Sequence, residues 1–147
     1  MKHVVISGYF NPLHGGHLDM IEAASELGDR LIVIVNNDKQ QVLKKGKVIL
    51  SQENRSRLMS ALRTVDEVVV SVDDDPTVIQ TLQTIRRKYP DDTIVFANGG
   101  DRDGERAIPE TDICTQNNIE LVFGVGSHEV VKRDSSTRIN KSTNKES

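Results

Sequence analysis

Short apolar runs alternate along this chain with stretches in which apolar residues recur every three or four positions. The first run, His3-Val4-Val5-Ile6, is followed by Leu18, Ile21, Ala24 and Leu27 at helical spacing, with Gly28 at the position of a closing C′ glycine. Leu31 to Val35 is continuous and β-branched, the pattern of a strand covered on both faces. Ser51 is placed to cap a helix carrying Leu58, Met59 and Leu62. Val68-Val69-Val70 reads as a third strand, and Asp75-Pro76 as an N-cap and first-turn proline opening a helix with Val78, Leu82 and Ile85. Thr93 to Ala97 reads as a fourth strand, Thr111 to Gln116 as a helix, and Ile119 to Phe123 as a fifth strand.

Strand and helix thus alternate about five times, which predicts an α/β fold: a single Rossmann-like doubly wound domain with a five-stranded parallel sheet and right-handed crossovers. The domain is expected over 1–141, with 142–147 as a disordered polar tail. Ligands of such sheets sit beyond the carboxyl ends of the strands. Four polar stretches fall there: 8–17, 36–47, 98–106 and 124–137.

The first of these carries the most chemistry. Gly8-Tyr9-Phe10-Asn11-Pro12-Leu13-His14-Gly15-Gly16-His17 leaves a strand through a compact turn and delivers two histidines three residues apart at the start of a helical stretch. Three residues is close to one helical turn, so His14 and His17 can face one ligand. Gly15 and Gly16 put no side chain in that space, which lets a phosphate approach backbone N–H groups at the positive end of the helix.

Composition narrows the partners. The 147 residues carry a net charge of −3, so no global basic field invites nucleic acid. Cys114 is the only cysteine, which excludes an internal disulfide and a cysteine metal cluster, fits a reducing cytoplasm, and reads as a small core residue. Apolar runs reach about five residues against the roughly twenty that span a bilayer, and the first residues lack a signal-peptide apolar region, so the expectation is a soluble cytoplasmic protein with no membrane partner. His3 and His128 read as solvated histidines.

At His14-Gly15-Gly16-His17 the chain resembles the HxGH signature of the nucleotidylyltransferase superfamily, and from Val4 to Ile139 it is similar to the small cytidylyltransferase branch. Val65-Asp66-Glu67-Val68 resembles that branch's entry to its third strand. Arg55 stands where the family carries a triphosphate-binding arginine, and Lys44 where it carries a phosphate-binding lysine, with Lys45 and Lys47 as alternatives. Ser135-Ser136-Thr137 resembles the closing hydroxyl-rich motif that receives phosphate. The resemblance implies catalytic roles for His14, His17, Lys44 and Arg55. It implies nucleotide contacts at Gly8, Tyr9, Phe10, Asn11, Gly16, Asn98, Gly100, Asp101, Arg102, Ser135, Ser136 and Thr137. In the stretch after the fourth strand, Gly99 and Gly100 let the backbone approach a ligand, Asp101 can accept from a hydroxyl or amine, and Arg102 or Arg106 can hold a second anion. The alternative is a glycine-containing surface turn of mixed charge.

Nucleotidyl transfer suits these residue types. An ionised acceptor phosphate is already a nucleophile, so catalysis is positioning plus stabilisation of charge on the α-phosphoryl and the leaving pyrophosphate. The expected reaction passes CMP from CTP to a small phosphorylated alcohol or sugar. Mg²⁺ would be held by the nucleotide phosphates and water with little or no protein ligation, and a homodimer is expected from the resemblance alone. Gly8-Tyr9-Phe10-Asn11-Pro12 is closer to the start of adenylyltransferases, which gives the alternative of ATP and a phosphate-bearing nucleotide, vitamin or heptose. A non-catalytic nucleotide-sensing module is a second alternative. A Rossmann dehydrogenase lacks support, because no G-x-G-x-x-G follows the first strand.

Overall fold

The computed structural model describes residues 1–10, 13, 15–99 and 108–125. Five strands, β1 (Lys2–Gly8), β2 (Arg30–Val35), β3 (Glu67–Val70), β4 (Thr93–Gly99) and β5 (Glu120–Val125), form one parallel sheet in the order β3-β2-β1-β4-β5. Helices α1 (Gly15–Ser25), α2 (Asp38–Lys45), α3 (Gln52–Ser60), α4 (Ile79–Lys88) and α5 (Thr111–Gln116) connect them. This is the expected Rossmann-like architecture. Among the described residues, no helix is long and apolar enough to cross a membrane.

Strand alternation divides the core into two layers. Val5, Ile32, Ile34, Ile94 and Phe96 pack with Val78, Leu82 and Ile85 near α4 and with Ile113 and Cys114 of α5. Val4, Ile6, Leu31, Val33 and Ala97 point the other way, onto Ile21 and Ala24 of α1 and Met59 of α3. The burial of Cys114 is as expected; it pushes the thiol up to about 12, with the Glu110 carboxylate adding to the effect, so the group stays neutral and inert.

Four local expectations are corrected. Gly28 does not cap α1 with a left-handed turn; it is a packing glycine, since a Cβ there would lie 2.8 Å from Val4 Cγ2 and 2.9 Å from the Lys2 carbonyl oxygen. Gly28→Ala is therefore expected to destabilise the chain by about 1–3 kcal/mol, read as a lower urea midpoint at unchanged slope. Helix α4 begins at Ile79, not at Pro76. Asp75 spends its carboxylate on the Thr77 N–H and hydroxyl, and the capping role passes to Asp73, whose oxygens accept from the Gln80 and Thr81 N–H groups at 2.8 and 3.0 Å.

The polar stretch 36–47 is not simply a loop. It contains α2, opened by a capping box between Asn37 and Gln40 and closed where the Gly46 N–H reaches the Val42 carbonyl. His3, finally, is not solvated: it is 1% exposed, stacks on Tyr89 at 4.1 Å, and shares a 2.8 Å hydrogen bond from Nε2 with Asp92. That bond to His3, helped by the N-terminal ammonium, holds the Asp92 carboxyl below its usual range.

Candidate active site at the β1–β4 switch point

Strands β1 and β4 pair from Lys2↔Thr93 to Val5↔Phe96 and then separate, although both run on, to Gly8 and Gly99. Successive connections leave β1 and β4 toward opposite ends of the sheet, so their carboxyl ends form the topological switch point where such folds bind ligands. A cleft of about 530 Å³ opens there. The strand ends supply Ser7, Gly8 and Tyr9 on one side and Ala97, Asn98 and Gly99 on the other. Asn36 and Lys44 line it from the β2 side, and Pro76, Val78, Pro109 and Glu110 from the α4/α5 layer.

Residue by residue, the expected site is partly assembled by the fold. Gly8, Tyr9, Asn98 and Lys44 all reach the cleft. Lys44 stands in the last turn of α2 with its ammonium 4.7 Å from the centre of the Tyr9 ring. Burial of the Tyr9 phenol raises its pKa and keeps it neutral, the Arg55 charge opposing this only in part. Gly16 and His17 lie in the first turn of α1, on the layer opposite α4 and α5. The His17 ring meets the Phe10 ring edge-on, with centroids 5.1 Å apart.

Phe10 occupies a different place from the one expected. Its ring is 5% exposed and folds back over Gly8, where a Cβ would lie 2.6 Å from the ring. Its backbone takes the left-handed conformation, φ 51°, which a bulky residue tolerates only when its surroundings over-determine it. The Phe10 ring is thus a wedge packed between Gly8 and His17. Asn11, His14, Gly100, Asp101, Arg102, Arg106, His128, Ser135, Ser136, Thr137 and the 142–147 tail lie outside the described residues.

Arg55 departs most from expectation. Its side chain is fully buried, and four N–H bonds are spent inside the protein. Nε donates to the Leu50 carbonyl at 2.9 Å, and Nη1 to the Tyr9 and Asn36 carbonyls at 2.8 and 2.6 Å. Nη2 meets Asp38 Oδ1 at 2.7 Å. A planar fork with five donors can satisfy four acceptors at once, and here it joins the ends of β1 and β2 to the start of α2. Arg55 therefore positions the Tyr9 turn and the helix that carries Lys44.

Sequence reasoning passed over Glu110, whose place before Thr111 reads only as a helix-start acid. A larger hollow, of about 850 Å³, lies at the other end of the sheet, but the Arg86 guanidinium there is committed to the carbonyls of Tyr89, Asp92 and Asn118. The smaller cleft is the one lined by Gly8 and Tyr9, where the segment leading to His17 begins.

The chain is similar in sequence to known proteins. An FAD synthase of Pyrococcus abyssi is 40% identical over 101 residues, covering 68% of this chain and 64% of that protein. The bifunctional protein HldE of Wolinella succinogenes is 34% identical over 134 residues, covering 90% of this chain and 27% of that protein. The chain thus spans under two thirds of the length of these relatives. The lipopolysaccharide core biosynthesis protein of Thermoplasma volcanium shares the fold, with a TM-score of 0.60, 24% identity and coverage of 84% of this chain and 95% of that one. The model of the cytidylyltransferase-like family matches residues 5–142. With that match running from the first strand through the histidine-bearing turn and the whole sheet, the chain belongs to the cytidylyltransferase-like family of the HxGH nucleotidylyltransferase superfamily.

Proposed function

We propose that this chain transfers the adenylyl group of ATP to the phosphate of a phosphate-bearing acceptor and releases pyrophosphate. The observation that carries the transfer reading is the cleft at the split ends of β1 and β4, bordered by the cationic Lys44 and adjoining the turn that leads to His17. An acceptor phosphate oxygen attacks the α-phosphorus, the bond from that phosphorus to the bridging oxygen breaks, and pyrophosphate leaves with the electron pair. His14 and His17 donate N–H bonds to α- and β-phosphoryl oxygens where charge grows, Lys44 neutralises it as a point cation, and Ser135 to Thr137 complete the cradle. Arg55 acts from behind, by fixing the Tyr9 turn and α2. Mg²⁺ would be held by the nucleotide phosphates and would supply positive charge there. Among the described residues, no three His, Cys, Asp or Glu side chains are grouped to hold a metal.

The sequence pattern favours CTP, but similarity to proteins named FAD synthase shifts the reading to ATP, because FAD contains an adenylyl group joined to a flavin phosphate. The Asn11-Pro12 pair supports the same base. Titration calorimetry of the full chain with ATP and with CTP, each with Mg²⁺, is expected to show ATP tighter by about tenfold, or ~1.4 kcal/mol. A reversed order would move the reaction to CTP and the acceptor search to phosphorylated alcohols and sugars. Binding of neither nucleotide would overturn the transfer reading.

A further inference from the structure

Glu110 is the charged group of the cleft that the transfer chemistry leaves unused. It stands at the N-cap of α5 and is 7% exposed, yet it lines the cleft. Its Oε2 accepts from the Val78 N–H at 3.0 Å, and no cation among the described residues pairs with it. A buried carboxylate held by one backbone donor retains acceptor capacity, since its two oxygens offer about four lone-pair sites.

The surroundings restrict what can use that capacity. Val78, whose N–H it holds, is buried, and the buried Phe96 lines the same cleft with Pro76 and Pro109, so the α4/α5 side of the cleft is largely apolar apart from Glu110 itself. A second anion placed there would meet like charge in a poorly solvated corner, whereas an uncharged N–H or O–H donor would find an acceptor. The layers then decide which substrate arrives. The α1 N-terminus lies on one face of the sheet and Glu110 on the other, with the split ends of β1 and β4 between them. In-line displacement puts the entering oxygen and the leaving pyrophosphate on opposite sides of the α-phosphorus. With the triphosphate laid against the α1 terminus, the acceptor enters from the α4/α5 side.

We infer that Glu110 selects the acceptor: it takes a hydrogen bond from an uncharged donor at the end of the acceptor remote from the phosphate, and it excludes acceptors whose remote end is anionic. The inference rests on the nucleotidyl-transfer reading and is tested apart from it. Pyrophosphate release from ATP, and from CTP in parallel, is measured with the full chain against two sets of phosphomonoesters. FMN, glycerol 3-phosphate and ribose 5-phosphate offer hydroxyl or ring N–H donors; 3-phosphoglycerate and 6-phosphogluconate place a carboxylate at the far end. Turnover is expected in the first set only. Glu110→Gln keeps a carbonyl oxygen for the Val78 N–H, so melting temperature and nucleotide affinity should hold, while the acceptor's KM rises by about tenfold or more with a smaller change in kcat. Equal use of the carboxylate set, an unchanged KM in Glu110→Gln, or weakened nucleotide affinity in place of a raised acceptor KM would each overturn the assignment. Nucleotide binding without turnover in either set would overturn it while leaving the nucleotide site standing. The comparison between the two sets needs no variant. Failure to bind ATP or CTP would instead remove the transfer reading itself.

Discussion

Arg55→Ala is expected to destabilise the chain by about 3–5 kcal/mol, because it removes the partner of Asp38 from a fully buried site and strands three backbone carbonyls. For a chain of this size the melting temperature should fall by about 10 °C or more. Arg55→Lys should recover little, since one ammonium cannot replace a planar fork that spans Leu50, Tyr9, Asn36 and Asp38. Thermal unfolding followed by circular dichroism measures both variants. If instead Arg55 worked mainly as a clamp on pyrophosphate, the alanine variant would melt within about 2 °C of the parent, less than 1 kcal/mol, and lose only turnover.

The second large effect concerns rate rather than stability. His14→Ala and His17→Ala should each lower turnover by about a hundredfold or more, ~2.7 kcal/mol, while nucleotide affinity stays within about tenfold. That split follows if the imidazoles bond to phosphoryl oxygens mainly as charge develops on them. At His17 the alanine change also removes an edge contact with Phe10, so His17→Phe is the sharper variant: it keeps an aromatic ring against Phe10 and removes the N–H. Turnover of His17→Phe near the parent value would mean that the ring matters for packing the turn and not for the phosphate. Both measurements use initial rates of pyrophosphate release together with a calorimetric nucleotide affinity.

Much of the scaffold is legible along the chain because its signals are local. Leu31 to Val35 announces a strand covered on both faces, and that strand lies inside the sheet between β1 and β3. Ser51 caps α3 as its position suggests, accepting from the Asn54 N–H at 3.2 Å. The histidine-bearing turn is recognisable because a strand, a glycine, two spaced imidazoles and a helix start follow one another without interruption. Where several local signals compete, the reading goes astray. Asp73, Asp74 and Asp75 are equally good caps on paper, and only the path of the chain over the sheet brings Asp73 to the Gln80 and Thr81 N–H groups. The charged composition of 36–47 conceals α2, whose capping box is Asn37 paired with Gln40 rather than the commoner serine or threonine with glutamate.

By itself, then, the sequence determines the alternation of strands and helices, the parallel sheet that this alternation requires, and the place of the paired histidines directly after the first strand. These depend on periodicity and on neighbours a few residues apart. Tertiary structure alone decides that Arg55 faces inward, since its four acceptors come from residues 9, 36, 38 and 50, which only folding gathers around one guanidinium. It also decides that Glu110 stands in the cleft, across the sheet from α1, because its partner Val78 lies 32 residues earlier on a different connection. A charged side chain looks the same in sequence whether it will be solvated, bonded to carbonyls or left facing a ligand. Its role is set by which backbone groups and apolar walls surround it, and those arrive from distant parts of the chain.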